Sequence, residues 1–315
     1  MKTVILDSAT LGDDIDLSPI YAVGEVTERR ATSADEVESV IEDAEVIVVN
    51  KIKLGRGNLA NARALRLICV TATGYDNIDT EYCKERGIAL CNVPAYSTDS
   101  VAEVTAAMAL SLVCRLSEYT DFVNSGKYSA SGVANRLVPT YREMSALTWG
   151  VVGGGAIGSR VAQIASALGC RVLMCRQKKD DTYENADIDT LCRCSDIISL
   201  HVPLTDSTRR LISRERIEQM KEGTILINVA RGAVTDEAAL ADGILSGKLG
   251  GLGVDVYSTE PFGEEHPYCK LLGRPNVVLT PHMAWGALEA RTRCVSVIAK
   301  NITEFKNGGH LNRIV

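Results

Sequence analysis

The stretch Trp149-Gly150-Val151-Val152-Gly153-Gly154-Gly155-Ala156-Ile157-Gly158 constrains the fold of this chain more than any other. Trp149 to Val152 reads as a strand. Gly-x-Gly-x-x-Gly follows at 153, 155 and 158, and Val161, Ile164, Ala165 and Leu168 then recur at i, i+3, i+4 and i+7. That recurrence predicts an amphipathic helix, which Gly169 ends. Val172 to Cys175 supplies the next strand. The glycines allow a tight strand-to-helix turn and let a pyrophosphate approach the helix N-terminus. Taken alone, the pattern also suits a turn whose glycines serve only packing. A strand before it, a helix after it and a second strand beyond favour dinucleotide binding.

Strand–helix alternation continues on both sides of this unit. Apolar runs at Ile197–Leu200, Thr224–Val229, Leu252–Val256 and Val277–Thr280 follow it, with helical patterns between most of them. A smaller alternation precedes it, with strands predicted at Thr3–Leu6, Val46–Val49, Leu67–Val70 and Ile88–Leu90. Such alternation implies parallel, doubly wound sheets. The expected class is α/β, with two Rossmann-like parallel-sheet domains and a cleft between them. A chain of 315 residues is long for one domain. A helix starting near Asp99-Ser100 and running to about Leu116 should bridge the domains, and a last helix, Leu288 to Lys306, should return to the first. The expected division is residues 1–98 plus 288–315 as a discontinuous substrate-binding domain, and 99–287 as the dinucleotide-binding domain.

The formal charge of −6 and a pI near 5.4 argue against a nucleic-acid partner, which needs a basic face. No apolar run approaches the roughly 20 residues that span a bilayer, so no membrane partner is expected. The N-terminal Met1-Lys2-Thr3-Val4-Ile5-Leu6-Asp7 turns polar too soon for a signal peptide. Ten cysteines are present, several in apolar runs, and Cys192 and Cys194 have no partner at zinc spacing. Buried free thiols in a reducing cytoplasm are the expectation, with no metal site.

The end of the second strand is unusual. An acidic residue there, about 20 residues past the glycines, would bond the adenosine ribose hydroxyls. This chain has Arg176-Gln177-Lys178-Lys179 instead. The basic cluster favours a 2′-phosphate, and so NADP over NAD. Asp180 and Asp181 keep a solvated loop with bound NAD open as the alternative.

Arg231, Asp255 and His282 each fall at or just past the end of a predicted strand, where ligands of doubly wound sheets bind. Glu260 lies a little beyond Asp255. An arginine can fork onto a carboxylate and an adjacent carbonyl oxygen. An imidazole can give or take a hydroxyl proton, and a carboxylate can hold it in its protonated form. Arg231, Glu260 and His282 are therefore the minimal set for moving a hydride on or off a 2-hydroxy acid. Each also has a plainer reading: an arginine in a surface turn, a strand-ending glutamate before Pro261, a turn histidine after Pro281. His201 ends a strand too and is the second candidate for the acid/base. His266 and His310 are expected in solvent.

Over essentially its whole length the chain resembles the D-isomer-specific 2-hydroxyacid dehydrogenase family. The segments that carry this are Asn228-Val229-Ala230-Arg231-Gly232-Ala233-Val234, Asp255 to Pro261, and Thr280-Pro281-His282. Thr71 to Asp79 and Asn92 to Ser97 resemble the glycerate dehydrogenase, or hydroxypyruvate reductase, branch. The resemblance implies that Arg231 orients the substrate carboxylate and carbonyl, with His282 as acid/base and Glu260 as its partner. It implies that backbone amides near Thr73 and Gly74 grip the substrate carboxylate and that Asp255 meets the nicotinamide amide. Ala156, Ile157, His201, Pro203, Thr208, Val229, Ala230 and Trp285 would line the cofactor beside Gly153, Gly155 and Gly158. Lys51, Lys53 and Tyr75 are candidates for the far end of the substrate. A homodimer is also implied, with an arm that includes the helix after Ser100. Arg176 departs from the family, where an acid is commoner.

The reading is an NAD(P)-dependent oxidoreductase of a small 2-oxo acid such as hydroxypyruvate or glyoxylate, or of the reverse oxidation. Two rivals share the scaffold: a dinucleotide-sensing binding protein or corepressor, and an enzyme oxidising formate or phosphite. A sensor need not keep Arg231, Glu260 and His282. An oxidation with no carbonyl proton to move gives Glu260 less purpose.

Overall fold

The computed structural model describes residues 1–178 and 181–315. Lys179 and Asp180, at the basic cluster, lie outside the described residues. The chain divides into two compact units, Met1–Ser97 with Trp285–Val315, and Thr98–Ala284.

The first unit is built on a five-stranded parallel sheet. Its strands are β1 (Lys2–Ile5), β2 (Glu25–Glu28), β3 (Val46–Val49), β4 (Leu67–Val70) and β5 (Ala89–Cys91), in the order β2-β1-β3-β4-β5. β3 and β4 are apolar at every position because both faces are covered. Val46 and Val48 face a core with Ile5, Leu67 and the helix Leu288–Lys306, through Cys294, Ile298 and Ile302. Ile47 and Val49 face the opposite core, with Ile68, Val70, Ile41 and Leu59.

The second unit holds a seven-stranded parallel sheet. It comprises β6 (Thr148–Val152), β7 (Arg171–Cys175), β8 (Glu184–Asn185), β9 (Ile197–Leu200), β10 (Thr224–Asn228), β11 (Leu249–Val254) and β12 (Val277–Leu279), in the order β12-β11-β10-β9-β6-β7-β8. The order reverses between β6 and β9, which pair directly. That reversal opens a crevice at the carboxyl ends, where such sheets bind ligands. The helix Ala156–Ala167 buries Val161, Ala162 and Ala165 against Trp149, Val151 and Val172. Thus both sheets are of the α/β, Rossmann-like class.

Two strands were not foreseen from sequence. β2 is polar and mostly exposed, and β8 has two residues, so neither carries an apolar signal. The helix expected to reach Leu116 ends at Val113. Arg115 turns left-handed at φ 54, and a separate helix, Leu116–Asn124, begins after it. β11 starts at Leu249, three residues earlier than expected, because Gly250 and Gly251 dilute its pattern. No single helix is long and apolar enough to cross a membrane among the described residues.

Candidate active site

Three neighbouring strands, β10, β11 and β12, end in the loops that carry the polar residues singled out above. Asn228 closes β10 and is 1% exposed. Its Nδ2 donates to the Arg231 carbonyl at 2.9 Å, and its Oδ1 accepts from the Ala230 N–H at 3.0 Å. The turn that presents Arg231 is thereby tied to its own strand. Arg231 Nη1 donates to the Ala230 carbonyl at 2.8 Å. The next residue must be glycine: a Cβ on Gly232 would stand 2.1 Å from the Tyr257 carbonyl carbon and the Ser258 nitrogen. The β10 and β11 loops touch there, backbone to backbone.

Asp255 lies just past β11 and is also buried. Its Oδ1 accepts from Thr280 Oγ1 at 2.6 Å and from the Met283 N–H at 2.8 Å, and its Oδ2 accepts from the Ala284 N–H at 2.9 Å. His282 sits inside the turn these bonds clamp, at φ 55. A left-handed conformation costs a non-glycine residue about 1–3 kcal/mol, so the clamp has strain to offset. The resemblance assigned Asp255 to the nicotinamide amide. Its three bonds here show a second task, holding the histidine turn.

His282 and Glu260 meet. His282 Nδ1 lies 2.6 Å from Glu260 Oε2, with the side chains 23% and 30% exposed. Glu260 Oε1 accepts from the Tyr257 N–H at 3.0 Å, so both carboxylate oxygens are directed. Tyr257 Oη donates to the Thr280 carbonyl at 2.9 Å and joins the β11 loop to the β12 loop. Burial first, then the Asp255, Glu260 and Glu237 carboxylates, push the Tyr257 phenol up to about 12, so it remains a neutral donor.

His201, the rival acid/base, is built differently. Ser199 Oγ accepts from Trp149 Nε1 at 3.0 Å, which leaves its own proton for His201 Nε2, 3.0 Å away. The ring proton then belongs on Nδ1, which is out of solvent with no partner. Burial drives the imidazole down to about 3. A ring that stays neutral across the working pH range is poorly suited to shuttle protons.

The glycine turn fits a dinucleotide. Gly153 has φ +109, and a Cβ there would meet the His201 carbonyl oxygen at 2.4 Å. A Cβ on Gly158 would meet the Gly153 carbonyl oxygen at 2.0 Å, whereas one on Gly155 meets nothing within 4 Å. The turn is thus tight below and open above, at the exposed N-terminus of the helix that starts with Ala156 and Ile157. The orphaned Nδ1–H of His201 is a second unmet donor at this end of the sheet. Arg176 follows β7; its Nε donates to Asn185 Oδ1 at 2.8 Å, and its stem lies over Gly154, where a Cβ would be 2.8 Å away. Thr208 Oγ1 folds back to the Pro203 carbonyl at 2.6 Å, Val229 is half-buried and Ala230 is buried.

In the first unit, Lys51 follows β3 and Thr73-Gly74 follow β4, at the same end of the sheet. Asp7, which sequence reading passed over, accepts from the Asn50 and Lys51 N–H groups at 2.9 and 2.7 Å. Burial raises its carboxyl above the ordinary value, against the pull of these bonds. Thr73 Oγ1 donates to the Val93 carbonyl and Asn92 Nδ2 to the Thr73 carbonyl. Trp285, expected at the cofactor, belongs to this unit and meets Tyr96 edge-on at 6.2 Å. His310 is exposed, but His266 is not in solvent: its side chain is 7% exposed, paired with Glu237 at 3.2 Å.

A doubly wound sheet with this glycine turn and a directed imidazole–carboxylate pair defines a nicotinamide-dependent oxidoreductase. The family model for the NAD binding domain of D-isomer specific 2-hydroxyacid dehydrogenases matches residues 106–284. A hydroxypyruvate reductase of Blautia hydrogenotrophica is 34% identical over 99% of each chain. A glyoxylate reductase of Thermococcus litoralis is 37% identical over 84% of this chain and 81% of its own. A D-lactate dehydrogenase from Aquifex aeolicus, solved with NAD and lactic acid, superposes with a TM-score of 0.87 at 32% identity, covering 98% of this chain and 96% of its own. The chain belongs to the D-isomer-specific 2-hydroxyacid dehydrogenase family.

Proposed function

We propose that the protein reduces a small 2-oxo acid of the hydroxypyruvate or glyoxylate type to the 2-hydroxy acid, with Arg231, Glu260 and His282 in the roles assigned from sequence. The observation that carries this is the 2.6 Å contact between His282 Nδ1 and Glu260 Oε2. With Nδ1 committed to the carboxylate, His282 exchanges its proton with substrate through Nε2. A nicotinamide bound there would supply the hydride for C2, or accept it in the reverse direction. Protonated His282 gives its proton to the developing alkoxide, and Glu260 stabilises the imidazolium beforehand. Arg231 forks onto the substrate carboxylate and the carbonyl oxygen, where negative charge grows. Lys51, Thr73 and Gly74 take the carboxylate end, the last two through backbone amides.

The pyrophosphate is assigned to the helix N-terminus at Gly153, Gly155, Ala156, Ile157 and Gly158. Pro203, Thr208, Val229, Ala230, Asp255 and Trp285 complete the cofactor's surroundings. NADP is favoured over NAD, because Arg176 stands where a carboxylate would repel a 2′-phosphate. The protein is assigned to the cytoplasm, in keeping with ten free cysteines. A homodimer is supported by an apolar arm: Val123, Val133, Leu137, Val138 and Tyr141 are each more than half exposed. Light scattering after size exclusion tests that assembly. Absorbance at 340 nm with a panel of 2-oxo acids and both dinucleotides tests the activity. Dinucleotide binding with no turnover on any of them would favour a sensing protein instead.

A further inference from the structure

Glu260 is held at one end by His282, but a glutamate side chain is only as well placed as the loop that carries it. Residues on both sides of Glu260 are gripped by a second acid–imidazole pair that no role has yet absorbed. Glu237 opens the helix Glu237–Ser246, where the helix dipole favours a carboxylate. Its Oε1 accepts from the Ser258 N–H at 2.9 Å, and its Oε2 accepts from the Ser258 hydroxyl. His266 Nε2 lies 3.2 Å from the same Oε2. The side chains of His266 and Glu237 are 7% and 10% exposed.

The tautomer of His266 follows from its other nitrogen. Nδ1 accepts from the Tyr268 N–H at 3.3 Å, so the proton sits on Nε2 and is donated to Glu237. The His266 ring also stacks on Phe262, centroids 4.8 Å apart at 31°, and meets Tyr268 at 4.9 Å. Glu237 therefore fixes Ser258, two residues before Glu260, while His266 fixes Phe262, two residues after it. Every contact of the Glu237 carboxylate is an accepted one. A glutamine would turn an N–H₂ toward Ser258 or His266 and break the set.

We propose that Glu237, held by His266, is a positioning residue for catalysis, clamping Ser258 so that the Glu260 carboxylate stays on His282 Nδ1. The proposal rests on the acid/base reading of Glu260 and His282. The test is steady-state reduction of the best 2-oxo acid across pH by Glu237→Gln, Glu260→Gln, the double variant and His282→Ala. Glu237→Gln should lower kcat about 10-fold, the size of coupling within one hydrogen-bond network, with the KM for dinucleotide unchanged. Its pH profile should move in the same direction as that of Glu260→Gln. The double variant should be no slower than Glu260→Gln alone. A wild-type kcat and pH profile in Glu237→Gln, or fully multiplicative losses in the double variant, overturns the proposal. Should Glu237→Gln fail to fold, His266→Phe keeps the stacking and removes only the ring nitrogens; the same non-additivity with Glu260→Gln is expected, and its absence is equally fatal. If His282→Ala retains turnover, the acid/base reading itself falls, and the positioning claim with it. If His282→Ala is inactive while Glu237→Gln behaves as wild type, only the positioning claim falls.

Discussion

The two sheets end in loops that are both rich in polar side chains, yet those side chains do different work. In the first unit many of them hold the backbone of neighbouring loops, and Ser8 meets Glu28 and Asn50 meets Thr10. Asp7 bonds the amides of Asn50 and Lys51, Asn77 the carbonyls of Asn50 and Ile52, and Asn92 the carbonyl of Thr73. In the second unit the pairs include two that join a carboxylate to an imidazole, Glu260 to His282 and Glu237 to His266, besides Asp255 to Thr280. Loops tied together through their backbone present a fixed main-chain surface. A carboxylate–imidazole pair presents a group that can exchange a proton. Under the proposed function, the first unit binds the carboxylate and the second exchanges the proton.

The largest effect that could break this contrast belongs to His282. His282→Ala should lower turnover by roughly 10²–10⁴, the usual size of acid/base catalysis, while dinucleotide binding followed by fluorescence stays near wild type. Near-native turnover would remove the second unit's claim to the chemistry. A second imidazole sharpens the point because it lacks a carboxylate. Burial holds His201 at about 3 in the fold, against about 6.5 when unfolded. Its neutral form is the one the fold favours, so its contribution is full above the unfolded value and is lost as pH falls toward the folded one. Between pH 6.5 and 4.5 the loss is on the order of 2 kcal/mol. Urea unfolding at the two pH values should show it, and His201→Asn should flatten the slope; an equal slope in the variant would mean that other groups cause the acid loss.

Arg231→Lys keeps the charge but loses the fork. One charge-assisted bond, about 1.5–3 kcal/mol, corresponds to a fall in kcat/KM of roughly 10- to 150-fold, shared between KM and kcat. Unchanged values would place Arg231 outside the substrate site. Arg176→Asp should move the NADPH-to-NADH ratio of kcat/KM toward NADH by a similar factor, roughly 10- to 150-fold. A wild type that strongly prefers NADH, with a ratio unmoved by the substitution, would leave Arg176 as a loop residue. The smallest effect is expected in the first unit. Asp7→Asn weakens the hold on the Asn50 and Lys51 amides, and about 1 kcal/mol translates to a roughly fivefold rise in the KM of the 2-oxo acid, with kcat unchanged. A loss of kcat as large as that of His282→Ala would show that the first unit takes part in more than binding.

Local pattern carried much of this into the sequence. β3 and β4 are continuous apolar runs, and β9 is broken only by Ser199, because both faces are covered; the limits of all three were legible to the residue. The glycine turn was legible because close backbone approach leaves no substitute for a missing Cβ. The polar edge strands β2 and β8 were not, since nothing in their composition separates them from loop. Nor was the break at Arg115, where a left-handed residue interrupts a pattern that otherwise continues helically.

The candidate site divides along the same line. Arg231, Asp255 and His282 could be placed at strand ends from sequence, because strand ends are a local property. That Glu260 reaches His282 across 22 residues, or that His266 reaches Glu237 across 29, is set by which strands are neighbours and how their loops lean. His266 looked like a solvated loop residue for the same reason: its surroundings, Phe262, Tyr268 and the first turn of a distant helix, exist only once the chain has folded. The sequence by itself determined the apolar strands, the glycine turn and the residue types at their ends, since periodicity and backbone sterics act over a few residues. Tertiary structure alone decided which of those residues bond to one another, because hydrogen-bond partnership depends on distances that the local chain does not control.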